Sequence, residues 1–249
     1  MSVDDQKSKE LFNKRADIHG NYHSVLDAGI SNEAQHSNIL HDYFSKKYIL
    51  KKSRLKSTDV VLDFGCGVGR ISNFIRTSVS KVIGYDTSDS MLDIAKKSSP
   101  INSIYLDDLD EISSNEIDVV IAHWVLAHIS DEGILEAFSK IASKITDKGR
   151  ICIFEQTPTD EKHFLSNGVY NRRTIGQYES LFKSIGFHLV TQKHVYRTPS
   201  YARSIWNKMS SSAKWLLPFL YFIEKKTLFY KVENVEYYTT FMEFTKEKS

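Results

Sequence analysis

The chain has 249 residues, of which 41% are hydrophobic and 26% charged, and its formal net charge is +2 at pH 7 with histidine neutral. This length fits one domain with insertions and can bury a full core without disulfides or metals, and the balanced charge argues against a nucleic-acid partner. Cys66 and Cys152 lack zinc-site spacing, and residues 1–6 lack a signal-peptide pattern, so we expect a cytoplasmic protein.

Residues 1–58 predict an N-terminal extension made of two helices. Leu11 and Phe12 mark the first helix, which should break near Gly20, and apolar residues from position 39 to 48 mark the second. Lysines and an arginine recur between positions 46 and 56, at helical spacing beside the apolar residues. They are interpreted either as a solvated face or as a site for a polyanion, and the sequence leaves both open.

A strand followed by a glycine turn organises the rest of the chain. The run Val60–Phe64 is typical of a buried parallel strand. Gly65, Gly67 and Gly69 follow it and allow the backbone to approach a ligand where a Cβ would collide. Apolar residues at helical spacing continue over 70–75, so we expect a strand–turn–helix unit with free backbone N–H groups beside a nucleotide-sized ligand.

The spacing of the glycines separates two kinds of nucleotide site. A dinucleotide-binding turn, G-x-G-x-x-G, would place a small residue at position 70, where this chain has Arg70. Asp63 instead completes a D-x-G-x-G-x-G pattern, which resembles the first motif of class I S-adenosylmethionine (SAM)-dependent methyltransferases. The cofactor contacts that this resemblance implies are Asp63, Gly65, Cys66, Gly67 and Gly69. The alternative is a structural glycine turn in another α/β protein.

Lys81–Tyr85 predicts a second strand that ends at Asp86, and a capped helix follows it. A carboxylate at this position can accept hydrogen bonds from both ribose hydroxyls of an adenosine. The segment 86–92 resembles the second motif of the same methyltransferases. That resemblance implies that Asp86 binds the ribose and that Thr87 and Met91 also contact the cofactor. A capped surface helix would explain the serines here, but not the acid at the strand end.

Ile104–Leu106 predicts a third strand, and the aspartate doublet Asp107 and Asp108 follows it. In the methyltransferases that the chain resembles, an acidic residue here usually bonds the adenine amino group, and the next apolar residue covers the ring. Leu109 is that apolar residue, and either aspartate could be the acid. The alternative is a pair of turn aspartates that cap the next helix.

The segment 118–122 predicts a fourth strand, and His123, Trp124 and His128 follow its carboxyl end, where ligands of open α/β sheets bind. The run W-V-L-A-H-I resembles a segment of small-molecule methyltransferases, which implies that His123 and Trp124 face the cofactor. An N/D-P-P-Y/F motif is missing, which argues against amine methylases of nucleic acids. No acidic residue ends this strand, so we expect no metal site.

Further elements complete the predicted sheet. They are a helix over 135–145 closed by a turn at 147–149, a fifth strand over 150–154, a helix over 178–185, a sixth strand over 187–190 and a last strand over 235–244. Alternating strands and helices predict an α/β, doubly wound, mostly parallel seven-stranded sheet with the Rossmann-like methyltransferase fold. We expect residues 1–58 to be a helical cap, and 59–249 a SAM-binding domain with helical insertions at about 156–172 and 196–232.

The second insertion contains nine mostly apolar residues, Trp215–Ile223, interrupted by a proline. This run is shorter than the roughly 20 residues that span a bilayer. Three interpretations stay open: a roof over the acceptor pocket, a contact in a homodimer, and a segment that touches a membrane surface. Because an insertion before the last strand should emerge at the carboxyl edge of the sheet, the roof is the expectation that the sequence favours.

These patterns favour a SAM-dependent methyltransferase that acts on a small-molecule or carrier-linked acceptor, including lipid- or glycan-linked ones, and releases S-adenosylhomocysteine (SAH). The candidates for a general base are His123, His128 and Glu155, because an imidazole titrates in the useful range. The candidates for acceptor contact are Tyr22, Tyr170 and Arg173. The alternatives are a non-catalytic SAM-binding subunit and, disfavoured by Arg70, a nicotinamide-dependent oxidoreductase.

Overall fold

The computed structural model describes residues 3–21, 25, 32–98, 101–159, 170–198, 200–228 and 235–247. Seven strands in these ranges form one sheet. They are β1 (Val60–Phe64), β2 (Lys81–Tyr85), β3 (Ser103–Leu106), β4 (Ile117–His123), β5 (Ile145–Pro158), β6 (Phe187–Thr198) and β7 (Tyr237–Lys246). Their order is β3-β2-β1-β4-β5-β7-β6, in which β1 to β5 are parallel and β7 runs antiparallel between β5 and β6. The predicted doubly wound, mostly parallel sheet is confirmed.

Helices cover both faces of this sheet. They are α1 (Val3–His19), α2 (Asn32–Ser53), α3 (Arg70–Ile75), α4 (Asp89–Lys97), α5 (Asp131–Ala142), α6 (Ile175–Ser184), α7 (Tyr201–Trp206) and α8 (Leu217–Thr227). In β1, Leu62 packs with Phe138 of α5 in one apolar core, and Val61 packs with Phe44 of α2 in the other. The alternation of side chains along buried strands therefore builds two cores. Within the described ranges, no helix combines the length and the apolar character needed to cross a bilayer.

The sequence placed the boundary between α5 and β5 wrongly. The apolar pattern predicted a helix through Ile145, but α5 ends at Ala142, and Ile145 pairs with Ile117 of β4. Gly149 lies within β5 rather than at a helix end, and a Cβ on it would collide with the side chain of Ile145. Ile145 is buried between the sheet and α5, and a buried residue at this position fits the apolar periodicity of a helix and of a strand equally well. Periodicity alone therefore assigned Ile145 to the helix.

The topology places a crevice beside β1. Strand β1 pairs with β2 on one side and with β4 on the other. The chain therefore leaves the carboxyl ends of β1 and β4 in opposite directions. In open α/β sheets, ligands bind where strand order reverses in this way.

Candidate active site

A cavity of about 300 Å³ opens at the carboxyl ends of β1, β2 and β4. Residues predicted from the sequence form much of its wall. They are Asp63, Gly65, Cys66, Gly67, Asp86, Thr87, Met91, Asp107, Asp108, Leu109, His123, Trp124 and His128. Four separate stretches of the chain thus meet around one space of the size that a nucleoside ligand needs.

The glycine turn forms the floor of the cavity. Gly65 and Gly67 adopt φ values of 72° and 53°, a conformation that side chains with a Cβ rarely take. A Cβ on Gly65 would collide with Val125, and one on Gly67 would collide with Val25, so both positions need glycine for these close contacts. Both glycines also line the cavity, where their backbone atoms can contact a ligand such as an adenosyl cofactor.

Asp86 stands at the end of β2 in the wall of the cavity. Its Oδ2 accepts a hydrogen bond from the Gly67 N–H at 2.8 Å, and its Oδ1 accepts one from the Ser88 N–H at 2.9 Å. Burial raises the pKa of this carboxyl, and the backbone donors oppose that rise. A carboxylate has about four acceptor positions, so Asp86 can also accept from both hydroxyls of a ribose.

Asp63 supports the turn from below. Its Oδ2 accepts from the Ser72 N–H at 2.9 Å and from the Ser72 hydroxyl at 2.6 Å, which pins the start of α3 under the glycines. Burial raises its pKa to about 6, and the bonds from Ser72 and the charge of Arg70 oppose the rise.

The charge of the lining discriminates between possible ligands. Its acidic side chains are Asp5, Asp63, Asp86, Asp107, Asp108 and Glu136, and its cationic ones are Lys9, Arg70 and Lys140. This excess of carboxylates suits a ligand that carries a positive sulfonium. It opposes the two negative charges of a nicotinamide dinucleotide, in agreement with the glycine spacing.

Three polar side chains fix the position of His123. An Arg70 Nη2–H donates to the His123 Nδ1 at 3.2 Å, and the Tyr48 hydroxyl lies 2.6 Å from Nε2. Arginine can only donate, so Nδ1 is the acceptor, and the ring proton sits on Nε2 and points to the Tyr48 oxygen. The Tyr48 hydroxyl can in turn donate to the Ser45 hydroxyl, 3.2 Å away. Burial and the nearby Arg70 charge hold the pKa of His123 well below its usual value. His123 is therefore a neutral ring with both nitrogens engaged.

Trp124 follows with an unusual backbone. Its φ of 55° is rare for a bulky residue, and its N–H donates to the Phe154 carbonyl at 3.0 Å. The indole stacks on His123 with ring centres 4.7 Å apart, and its buried Nε1 has no hydrogen-bond partner among the described residues. A strained residue with an unsatisfied donor in a cavity wall is expected where a ligand completes the site.

His128 presents an imidazole to the same cavity. It lies in the 3₁₀ turn Leu126–His128, and its ring packs edge-on against Phe12 of α1 and against Tyr170, with ring centres 4.9 Å apart in each case. Aromatic contacts on two sides fix the direction of the ring.

Glu155 is not among the described residues that line the cavity. It is fully buried, and its Oε1 accepts from the backbone N–H groups of Val125 at 2.6 Å and of Leu126 at 2.7 Å. Burial raises its pKa to about 7, against the effect of these bonds. Through these two hydrogen bonds, Glu155 stabilises the turn that carries Trp124 and His128.

Arg173 and Tyr170 also lie outside the described lining. Arg173 donates to the carbonyls of Leu126 and Ile129 at 2.7 and 2.6 Å and to Asp131 at 2.6 Å, so its buried guanidinium braces the turn after β4. The Tyr170 hydroxyl donates to the Gln156 side chain at 2.6 Å. Both residues that the sequence suggested for acceptor binding are therefore hydrogen-bonded to other groups of the protein.

Gly69 lies behind the cavity wall, where a Cβ would stand 2.6 Å from the Tyr105 hydroxyl, so its bare Cα serves packing. Tyr22 lies outside the described residues.

The sequence predicted a helical cap over residues 1–58 but not the contacts that hold α1 beside the cavity. The Ser130 N–H donates to Asp5 at 2.8 Å, and the Ser88 hydroxyl donates to Asn13 at 2.6 Å. Helix α1 is thereby tied to the starts of α4 and α5, and Phe12 between these ties lines the cavity. Only the apolar residues Leu11 and Phe12 marked this helix in the sequence, because polar ties across more than 70 residues leave no local pattern.

The segment Trp215–Ile223 does not form the expected roof. Within the described residues, none of it lines the 300 Å³ cavity. Helix α8 instead packs on α2 and α7, where Leu217 and Leu220 join the second core. The reason is the length of β6, which runs to Thr198 and carries the chain along the sheet before the insertion begins.

Comparisons with known proteins find similarity to methyltransferases. A family described as "Methyltransferase domain" matches residues 61–149, which contain the strands and turns around the cavity. An uncharacterized methyltransferase of Oceanobacillus iheyensis is 26% identical over 81% of this chain and 92% of its own length. Two other curated relatives, 33% and 30% identical in the matched part, are matched over only 34% and 42% of their own length.

Solved structures share the fold at low identity. Magnesium protoporphyrin IX methyltransferase from Synechocystis PCC 6803 with bound SAM has a TM-score of 0.60, at 15% identity over 99% of both chains. A methyltransferase of Haloferax volcanii, in complex with the Trm112 methyltransferase activator, has a TM-score of 0.63 at 14% identity, over 95% of this chain and 98% of that chain.

Proposed function

Because the chain carries a class I SAM-dependent methyltransferase domain, we propose that it transfers the SAM methyl group to a small-molecule or carrier-linked acceptor. The observation that carries the proposal is Asp86, fixed by the Gly67 and Ser88 N–H groups in the wall of a carboxylate-rich cavity with a bare glycine floor. This arrangement matches a ribose, and its charge matches a sulfonium.

The described residues support specific contacts with the cofactor. Asp86 would accept from the ribose hydroxyls. Asp108 already caps the next turn, since its Oδ1 accepts from the Asp110 N–H at 2.8 Å. We therefore assign the adenine amino group to Asp107, with Leu109 against the ring. The α1 ties support the proposal that residues 1–58 act as a cap over the 59–249 domain.

When bound, SAM supplies an electrophilic methyl group on a sulfonium and leaves as SAH after an acceptor nucleophile takes the methyl. The protein then has to align the two partners, exclude water and receive the acceptor proton where there is one. His123 cannot receive it, because its only basic nitrogen accepts from Arg70. We assign the proton to His128, the other imidazole of the lining.

Calorimetry with SAM, SAH and NAD tests the cofactor, and a screen of acceptor pools for SAH release tests turnover. We expect SAM and SAH to bind and NAD not to bind. Binding of NAD without any response to SAH would overturn the proposal. SAM binding without SAH release from any pool would favour the non-catalytic alternative.

A further inference from the structure

Three aromatic side chains stand exposed along α8 and the turn before it. Trp215 is 77% exposed, Phe219 58% and Phe222 55%. Their spacing of four and three residues places them on one side of the helix, while Leu217 and Leu220 face the core. We call these three residues the aromatic face. An apolar side directed outwards on a helix whose other side is already packed indicates a surface that meets a partner.

A group of lysines adjoins this face. The lysine cluster consists of Lys51 and Lys52 at the end of α2, Lys193 in β6, and Lys225 and Lys226 at the end of α8. The Lys226 Nζ lies 5.6 Å from the centre of the Phe222 ring, so the cluster and the aromatic face are continuous. Helix α2 packs on α8, and the amine of Lys51 and its charge lower the pKa of Lys225.

No carboxylate relieves this crowding within the described ranges, where the ion pairs involve other cations. Like charges held together disfavour the fold unless an anionic partner neutralises them. The sequence left the basic run at 46–56, which contains Lys51 and Lys52, open between a solvated face and a site for a polyanion. Its position beside the aromatic face favours the anionic partner.

We propose that α8 docks the protein on an anionic membrane surface, with the aromatic face at the level of the headgroups and the lysine cluster against the lipid phosphates. Tryptophan and phenylalanine on one face, with lysines at its edge, are the features of a helix that lies in the plane of a bilayer interface.

A second copy of the chain fits this surface less well. Lysines stand at both ends of α8, with Lys214 before it and Lys225 near its end. A twofold contact through the aromatic face would therefore set lysines against lysines in either direction of the helix. A nucleic acid would neutralise the cluster but offers no continuous apolar layer to Phe219 at the middle of the face.

The surface also adjoins a second cavity, of about 560 Å³. Lys214 and Leu217 line it on the α8 side, and Arg70, which also lines the cofactor cavity, lines it on the other. Docking through α8 would thus bring the lipid surface beside a space that reaches the wall of the proposed active site.

Flotation with vesicles tests the proposal on the full chain. Vesicles of equal parts phosphatidylcholine and phosphatidylglycerol should bind the protein, pure phosphatidylcholine should bind it far less, and added salt should release it. The Phe219→Ser/Phe222→Ser variant should lower the bound fraction about tenfold, because the apolar contribution is lost. A second variant, Lys51→Gln/Lys52→Gln/Lys225→Gln/Lys226→Gln, keeps the three aromatic residues and should also lower the bound fraction about tenfold.

Matched controls lie at the opposite edge of the sheet. Ile104→Ser removes an exposed apolar residue of β3, and Lys96→Gln/Lys97→Gln removes two cations at the end of α4, and both should float like the unchanged protein. Melting curves of every variant confirm that it is folded. Three results would each overturn the proposal: equal binding to both kinds of vesicle, a dimer that Phe219→Ser/Phe222→Ser dissociates, or binding to single-stranded RNA without binding to vesicles.

Discussion

The Tyr48 hydroxyl lies 2.6 Å from the His123 Nε2 and joins the middle of α2 to the end of β4, 75 positions apart in the chain. Both groups are buried, and burial raises the pKa of Tyr48 while it lowers that of His123, so neither carries charge near neutral pH. The contact is a neutral hydrogen bond that holds the ring against Arg70.

Removing the Tyr48 hydroxyl tests this relationship. Tyr48→Phe should lower the free energy of unfolding by about 1–3 kcal/mol, because the His123 N–H would lose its acceptor inside the protein. Denaturant unfolding measures the change. Tyr43→Phe, on a preceding turn of α2, is the control, since Tyr43 is only partly buried, and it should change stability by less than half as much. An equal loss in both variants would show that the Tyr48–His123 bond contributes nothing specific.

His128→Gln tests the general base. If His128 takes the acceptor proton, kcat should fall by about 10²–10⁴-fold while the affinity for SAM stays unchanged. His194→Gln, in β6, serves as the control. The pH profile adds an independent check, because the lowered pKa of His123 removes that ring from titration near neutrality. An unchanged kcat in His128→Gln would assign the proton to another group.

Asp86→Ala tests the ribose contact. Loss of two charge-assisted hydrogen bonds should weaken SAM binding by roughly 2–3 kcal/mol, about 30- to 150-fold in the dissociation constant. Asp93→Ala, at an exposed position of α4, is the control, and it should bind SAM normally. Calorimetry gives both values. A folded Asp86→Ala variant with full affinity would remove Asp86 from the site.

Glu155→Gln tests how pH acts on stability. The pKa of Glu155 rises from 4.5 to about 7 on folding, so the folded state binds more protons between these values. Its contribution to stability is therefore greatest below pH 4.5 and is lost as pH rises through about 7. A glutamine oxygen can accept from the same two N–H groups and cannot ionise. We expect Glu155→Gln to melt higher than the unchanged protein at pH 8, and by a smaller margin at pH 5.5.

The same variant separates structure from chemistry. A residue that only holds the turn after β4 should tolerate glutamine with kcat nearly unchanged. A large loss of kcat in a stable Glu155→Gln protein would instead restore Glu155 as a candidate base.

The sequence predicted most of the sheet and the cofactor wall because both depend on local patterns. Each motif can be recognised from residues that are close in the chain; these motifs are the run Val60–Phe64, the glycine spacing and the acid at position 86. The neutral state of His123 depends on its burial and on hydrogen bonds with Tyr48 and Arg70. These residues are far apart in the chain, so no short segment predicts it. The placement of α8 was missed for a related reason, since it depends on how far β6 extends before the chain turns.

The ties of α1 to Ser88 and Ser130 hold this helix beside the cavity, which links the stability of the helix to ligand exchange. If an adenosyl ligand enters and leaves past α1, part of this helix has to separate from α4 and α5. By linkage, a bound ligand must then suppress that local opening in proportion to its affinity. The backbone amides of residues 3–19 should therefore exchange with deuterium more slowly when SAH is bound, while those of α6 remain unaffected.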